Sequence, residues 1–484
     1  MNPSPKKTLL CIPIVSDNYA EVLKDLKEAE EKGDITELRL DCVKDLDETK
    51  LEIVLKSKNK PMIVTYMGKS EHKTRFIKKA IECKVEFVDI DFEDKESVEK
   101  IPKDRADTKV IISYHNFDET PNINVLNETY KKIKSLNADL IKIVTMARSI
   151  NDNFIIFDLL QGKNDLISFC MGLKGQISRV LAWKYGSAVS YACLSENKKS
   201  APGQMTVKDL EVYRFKKIFT DTEVVGVIGE FAENSQSKNV HNPWFEGLNF
   251  VFVPFKTEKK DLDRLIKNIK KRGICGAAVT IPYKEEVMKF LDEIDDTAEK
   301  IGAVNTIVNG NGRLIGYNTD QYGAIRSLRN ETDLENKKVL LLGAGGAARS
   351  IAYGLKKENA NVTVVNRSIE RAEKISKEFD VNFARIEKLK ELVEKNEIII
   401  NSTSIGIHPH QEDSIVEEIN EGKIVMDVVY NPRITKLIRI AMNNNCKTIT
   451  GENMLVYQAV KQFKLWTGKN VKIEDVENAR KLLW

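Results

Sequence analysis

Short apolar runs recur through the first 200 residues about every 20 to 30 positions, at 8–15, 37–43, 62–67, 87–92, 110–115, 140–147, 166–171 and 188–193. Each has strand length, and amphipathic stretches such as 21–32 and 126–136 separate most of them with helical spacing. Eight strands alternating with helices is the count of a closed parallel (β/α)8 barrel. A doubly wound open sheet is the alternative arrangement of the same elements. From about position 224 the texture changes. Strands are expected at 250–254 and 276–281, then a hairpin around Asn309-Gly310-Asn311-Gly312 and a helix after Asp320. A strand, glycine turn and helix follow over 339–350, with further strands at 362–365, 398–401, 424–429 and 448–450 and a closing helix pair from Glu452. The pattern predicts an α/β chain of three domains: a barrel over 1–220, a smaller domain over 221–325, and a parallel-sheet domain over 326–484 whose C-terminal helices return to the middle one.

Length supports that division, because 484 residues exceed what one core serves. Basic residues number 76 and acidic residues 72, a net charge of +4 without a basic block. That balance favours anionic small molecules as partners over a nucleic-acid surface. Seven cysteines lack paired spacing, which suits free thiols in a reducing cytoplasm. No apolar run reaches membrane-spanning length. His408 and His410 have the spacing of a metal pair but no third ligand cluster nearby, so no metal is expected.

Chemistry first shows in VLLLGAGGAARS at 339–350. An apolar strand ends in Gly343-Ala344-Gly345-Gly346-Ala347 and opens into helix-forming sequence. Glycine permits the tight turn, and the free N–H groups at a helix start favour a pyrophosphate. The next apolar run ends in Asn366-Arg367-Ser368, where an NAD enzyme carries an acid. Arginine there suits a ribose 2′-phosphate, so the expected cofactor is NADP.

In the barrel half, Lys142 lies between Ile141 and Ile143 in a strand. A buried ammonium must be paired or neutralised, and desolvation lowers a lysine pKa toward a nucleophile able to form an imine with a ketone. The alternative is a lysine at the strand end snorkelling to water. Glu37 and Arg39 alternate on one face of the second strand. His115 ends the fifth strand with an intrinsic pKa suited to moving protons. ELRLD, SYHNF, DLIKIVTMA, MGLKGQISR and SAPGQ occur in the order and spacing of the type I 3-dehydroquinate dehydratases, which residues 8 to 210 resemble. The resemblance implies that Lys142 forms the imine, that His115 moves the protons for loss of water with Glu37 beside it, and that Arg39 helps bind substrate. It further implies that Arg179 pairs with the substrate carboxylate and that Ser200 and Gln204 close over it from a lid. One departure stands out: Met67 occupies the place of a family arginine, and Lys69, Lys73 or Arg75 are the cations near enough in sequence to replace it.

In the second half, Ser235 and Ser237 sit two apart in a loop, Lys284 follows a strand, and Asn305 and Asp320 follow others. Each alone reads as a turn or surface residue. Together with AVTIPYK, GAVNTI, GYNTD, GAGGAARS, NRS, NSTSIG and MLVYQA they resemble the shikimate dehydrogenase family over 224–484. That resemblance implies Lys284 and Asp320 as the proton-transfer pair. Ser235, Ser237, Thr280, Asn305, Tyr430 and Gln458 would bind substrate, and Arg367 with Arg371 would clasp the 2′-phosphate. Both resemblances imply two consecutive steps of aromatic biosynthesis: 3-dehydroquinate to 3-dehydroshikimate, then to shikimate with NADPH. The second reading keeps a shikimate (or quinate) dehydrogenase beside a weakly active or non-catalytic barrel. Class I aldolase chemistry shares the imine lysine but not the SYHNF and SAPGQ context.

Overall fold

Alternation of side chains across short parallel strands builds the first half of the chain. In the computed structural model, which describes residues 8–68, 72–103 and 105–483, eight strands appear there. They are β1 (Leu9–Ile14), β2 (Ile35–Arg39), β3 (Met62–Thr65), β4 (Phe87–Asp91), β5 (Lys109–Asn116), β6 (Leu140–Met146), β7 (Leu166–Met171) and β8 (Val189–Tyr191). Their order is β7-β6-β5-β4-β3-β2-β1-β8, every recorded pairing parallel. Between β7 and β8 the Ala188 N–H donates to the Leu166 carbonyl at 2.8 Å. The sheet is thus a nearly closed α/β barrel, as the strand count predicts.

Cys11, Ile35, Ile63, Ile111, Val144 and Ile167 share one apolar cluster inside it with Phe169, Val189 and Tyr191. Because the side-chain period is two, Glu37 and Arg39 must follow Ile35 inward, Thr65 follows Ile63, and His115 follows Ile111 by four. Lys142, two residues before Val144, is forced to the same face. The polar residues reach the interior by register, not by chance. β2 ends at Arg39 rather than continuing to 43, because Leu40–Cys42 turns into a short 3-10 helix. Arg39 fastens that turn, with Nε and one terminal nitrogen on the two Asp41 carboxylate oxygens at 3.0 and 2.7 Å.

The remaining strands form two six-stranded sheets. The first holds β9 (Glu223–Gly229), β10 (Phe250–Lys256), β11 (Gly276–Val279), β12 (Glu293–Ile294), β13 (Thr306–Gly310) and β14 (Arg313–Tyr317), in the order β10-β9-β11-β13-β14-β12. β13 and β14 are the expected antiparallel hairpin, with Asn311 and Gly312 both at positive φ in its turn. The second holds β15 (Lys338–Leu342), β16 (Asn361–Val365), β17 (Asn382–Ala384), β18 (Ile398–Asn401), β19 (Ile424–Asp427) and β20 (Lys447–Ile449). Its order, β17-β16-β15-β18-β19-β20, is wholly parallel. This is the doubly wound dinucleotide fold, and its strand order reverses between β15 and β18. The contacts divide the chain into two compact units, Met1–Glu223 with Asn249–Asn268, and Val224–Leu248 with Ile269–Trp484. No helix among the described residues is long and apolar enough to cross a membrane.

Within the second unit, the helix Gly451–Thr467 packs on β13, where Trp466 Nε1 donates to the Ile307 carbonyl at 3.0 Å. Gly276 makes that approach possible. A Cβ there would fall on the same carbonyl oxygen and within 2.6 Å of Trp466 Nε1. Gly276→Ala is expected to destabilise this unit by roughly 1–3 kcal/mol, the usual cost of overpacking. A denaturant melt followed by tryptophan emission checks it, and an unmoved midpoint would contradict the packing described.

Candidate active sites

The barrel's inner face converges on Lys142. Its side chain is buried, the residue only 6% exposed, with Nζ 2.9 Å from Asp89 Oδ2 and 3.3 Å from Glu37 Oε1. The Tyr191 ring lies 4.7 Å from the same nitrogen, and Thr65 donates to Glu37 Oε1 at 3.0 Å. Desolvation pulls the Lys142 pKa down, but Asp89 and Glu37 outweigh it and hold the ammonium well above the usual lysine range. This corrects the expectation that burial alone frees the amine. Burial without carboxylates would do so; burial between two of them does not. Neutral amine arises here only after a proton moves to a carboxylate.

A cavity of about 120 Å³ opens beside the lysine and is lined by Glu37, Arg39, Met67, His115, Arg179, Ser200 and Gln204 among others. Burial, reinforced by the positive Lys142, pushes His115 down to about 3, so its ring is neutral, and the buried Nδ1 has no partner. Arg179 is 1% exposed, lies 4.2 Å from the Phe169 ring, and leaves Nε and one terminal nitrogen unpartnered. Burial lowers even this guanidinium to about 10. Gln204 Oε1 accepts from the Ser200 N–H at 2.7 Å and its hydroxyl at 3.0 Å, leaving the amide N–H group free. A neutral imidazole, an unpaired buried cation and an idle amide donor around one lysine can receive an anionic, oxygen-bearing ligand.

Lys73 and Arg75 do not replace the cation absent at Met67. Lys73 pairs with Asp94 at 2.8 Å and Arg75 with Glu48, both away from the cavity lining. Lys69 lies outside the described residues. Arg39 lines the cavity with Nε and one terminal nitrogen held by Asp41, which also receives the Met67 N–H at 3.3 Å. Asp89 was missed from the sequence. Its signal was an acid inside Phe87–Asp91, two residues from the inward Phe87 and therefore facing the barrel interior.

In the second unit, Lys284 Nζ meets Asp320 Oδ2 at 2.5 Å, and the Asn305 amide donates to Asp320 Oδ1 at 2.8 Å. Asn305 also donates to Thr319 Oγ1 at 2.9 Å and Gln458 Oε1 at 3.4 Å. Ser235 donates to Ser237 at 3.1 Å, and burial pushes the Tyr430 phenol up while the Ser235 hydroxyl opposes that rise. Thr280 is half-buried against Gly229. The turn after β15 lies where the sheet order reverses. Gly343, at φ +112°, packs so closely on Ser402 that a Cβ would stand 2.7 Å from its Oγ. Ala344 and Ala347 are half-buried, and around Gly345 there is open space. Gly346 starts the helix Gly346–Lys357, and its missing Cβ would be 3.3 Å from Lys284 Cβ. Glycine here lets the turn approach Lys284. Past β16, Asn366 donates to the Ser368 carbonyl at 3.0 Å, and Ser368 Oγ donates to Glu370 at 2.7 Å. Arg367 and Arg371 are exposed, and neither has an ion-pair partner among the described residues. His410 pairs with Asp413 at 2.9 Å, and no group of three metal-ligating side chains occurs among the described residues.

Residues 10–219 match the family model of type I 3-dehydroquinase. Residues 227–307 match the shikimate dehydrogenase substrate binding domain, 326–449 the shikimate / quinate 5-dehydrogenase model, and 451–479 its C-terminal domain. The chloroplastic bifunctional 3-dehydroquinate dehydratase/shikimate dehydrogenase of Arabidopsis thaliana is 33% identical, covering 96% of this chain and 82% of its own. The chain belongs to the bifunctional 3-dehydroquinate dehydratase/shikimate dehydrogenase family. Its dehydrogenase half is 44% identical to the NADP(+) shikimate dehydrogenase of Pyrococcus furiosus, over 52% of this chain and 93% of that one. A crystal structure of a shikimate dehydrogenase in complex with NADP+ superposes with a TM-score of 0.51 at 42% identity, covering 54% and 96% of the two chains. The chain is therefore an enzyme with a lyase half and an oxidoreductase half.

The neutral state of His115 has a kinetic consequence. A base that protonates only near 3 stays competent throughout neutral and mildly acidic pH. Dehydratase kcat/KM is expected to stay level from about pH 8 to about pH 5.5, without the limb near 6.5 of an ordinary histidine. A pH–rate profile with an inflection between about 6 and 7 would contradict this environment for His115.

Proposed function

We propose that Lys142 carries the dehydration as an imine and that the dehydrogenase half uses NADPH on the resulting ketone. The observation that carries the barrel reading is the set of buried groups around Lys142 left without partners, Arg179 above all. A substrate carboxylate on Arg179 would satisfy both of its idle N–H groups. The ketone then lies against Lys142, which gives its proton to Asp89 or Glu37 and attacks the carbonyl carbon. The carboxyl returns its proton to the hydroxyl of that adduct, whose departure as water gives the iminium, which acidifies the adjacent C–H. His115 takes that proton, then returns it to the departing hydroxyl as water leaves. Hydrolysis frees the product and the amine. Ser200 and Gln204 hold the substrate hydroxyls from the lid.

NADP suits the residues present. The open space at Gly345 and the free helix start at Gly346 fit a pyrophosphate, and the unpaired Arg367 and Arg371 fit a 2′-phosphate. When bound, the nicotinamide supplies hydride to the ketone carbon. Lys284, held by Asp320, gives a proton to the carbonyl oxygen, while Asn305 and Gln458 orient Asp320. Ser235, Ser237 and Tyr430 hold the substrate carboxylate, with Thr280 beside them. The domain limits at 220 and 325 belong to the same proposal, as does a cytoplasmic setting, which the seven free cysteines support.

Borohydride with 3-dehydroquinate is expected to fix a covalent adduct on Lys142, seen by peptide mass spectrometry; an adduct elsewhere or none overturns the imine. Lys142→Ala should abolish dehydration while 3-dehydroshikimate reduction continues. Arg367→Ala is expected to raise KM for NADPH by about tenfold or more with little change for NADH. Equal effects on both would remove Arg367 from the 2′-phosphate site.

A further inference from the structure

Asp427 ends β19 at 0% exposure, deep in the cofactor domain, and none of the steps above uses it. A buried carboxylate without a cation is costly, and an apolar or amide side chain would avoid that cost. Here it is retained with three hydrogen-bond donors. Oδ1 accepts from the Asn401 amide at 2.9 Å and the Val429 N–H at 3.0 Å, and Oδ2 accepts from the Thr435 hydroxyl at 2.7 Å. Each donor leads to a different part of the dehydrogenase site.

Asn401 ends β18, and its Oδ1 receives both the Thr403 N–H at 3.1 Å and the Thr403 hydroxyl at 2.7 Å. Those residues are the floor of the glycine turn, since a Cβ on Gly343 would lie 2.7 Å from Ser402 Oγ and 3.1 Å from Thr403 Cγ2. Val429 immediately precedes Tyr430, where the Ser235 hydroxyl opposes the rise of the phenol. Thr435 caps the helix Lys436–Asn443, its hydroxyl receiving the Ile438 N–H at 3.3 Å, and its methyl lies 3.3 Å from where a Gly406 Cβ would stand. One carboxylate therefore ties the loop after β18, under the cofactor turn, to the loop after β19, which carries Val429 and Tyr430 near its start and Thr435 at its end.

We infer that Asp427 is a positioning residue of the reductase, which sets the cofactor turn and Tyr430 in register so that both ligands bind to one preformed geometry. It touches neither ligand and acts through Asn401, Val429 and Thr435. Burial without a cation also pushes its carboxyl up to about 6, the three donors opposing that rise. A purely structural residue would change how much enzyme is folded. A positioning residue changes how well each folded molecule binds. Loss of Asp427 should loosen two loops at once, so the affinities for both ligands should fall together.

The inference rests on the reductase reading above, which the wild-type enzyme tests separately through NADPH-dependent reduction of 3-dehydroshikimate. With the full chain, Asp427→Ala is expected to raise KM for both shikimate and NADP+ by about tenfold, leaving dehydratase kcat/KM unchanged as the internal control. Asp427→Asn keeps an acceptor for two of the three donors and is expected to recover most of the loss. Thr435→Val, which removes one donor, should raise both KM values by a smaller factor, and it serves if Asp427→Ala does not fold. Lower kcat with both KM values unchanged in these variants would overturn the inference. So would a rise in only one KM, because it would separate the loops that Asp427 is held to join.

Discussion

A lysine ammonium drawn out of water needs acceptors to offset its lost hydration, and at the centre of each half of this enzyme carboxylates meet that need. Lys142 sits between Asp89 and Glu37, and Lys284 sits on Asp320. The pairs look alike and do different work. In the barrel the carboxylates outweigh desolvation and keep the amine protonated, so in the proposed imine route attack on a ketone begins with a proton handed to a neighbour. In the reductase reading proposed above, the paired lysine serves as a donor beside a developing oxyanion. On that proposal the same pairing physics supplies a masked nucleophile in one half and a held acid in the other.

The fold delivers these pairs by simple rules. In the barrel, alternation alone turns Glu37, Asp89, His115 and Lys142 toward one interior, near the strand ends where such folds place chemistry. In the cofactor domain, the reversal of strand order between β15 and β18 opens the crevice that the glycine turn fills. Polar groups buried without partners then mark where a ligand is required. Arg179 is the plainest case, since a guanidinium at 1% exposure with two idle donor nitrogens carries a desolvation cost that an incoming anion would offset.

Much of this was legible in the sequence. The eight strands, the hairpin at Asn309–Gly312 and the βαβ turn at Gly343 each have a local signal, either apolar periodicity or turn residues with one backbone solution. The edge strands β12 and β17 had none. Glu293–Ile294 is two residues long, and Asn382–Ala384 carries a single large apolar side chain. The Lys142 environment was half legible. Flanking isoleucines announce burial, but the two carboxylates arrive from strands 53 and 105 residues earlier. Only the closed barrel brings them within reach, so the sign of the pKa shift could not be read locally. Lys73 and Arg75 failed as substitutes for a similar reason: closeness to Met67 in sequence does not determine which face of a helix a cation leaves by.

The central claim is that the two halves catalyse successive steps, the first making the ketone that the second reduces. It is tested most directly by giving the purified full-length chain 3-dehydroquinate and NADPH together, and following cofactor oxidation and shikimate by chromatography. The account predicts shikimate, with one NADPH oxidised for each 3-dehydroquinate consumed. Oxidation of NADPH with added 3-dehydroshikimate but no shikimate from 3-dehydroquinate would contradict it, leaving a reductase joined to a barrel that does not turn over.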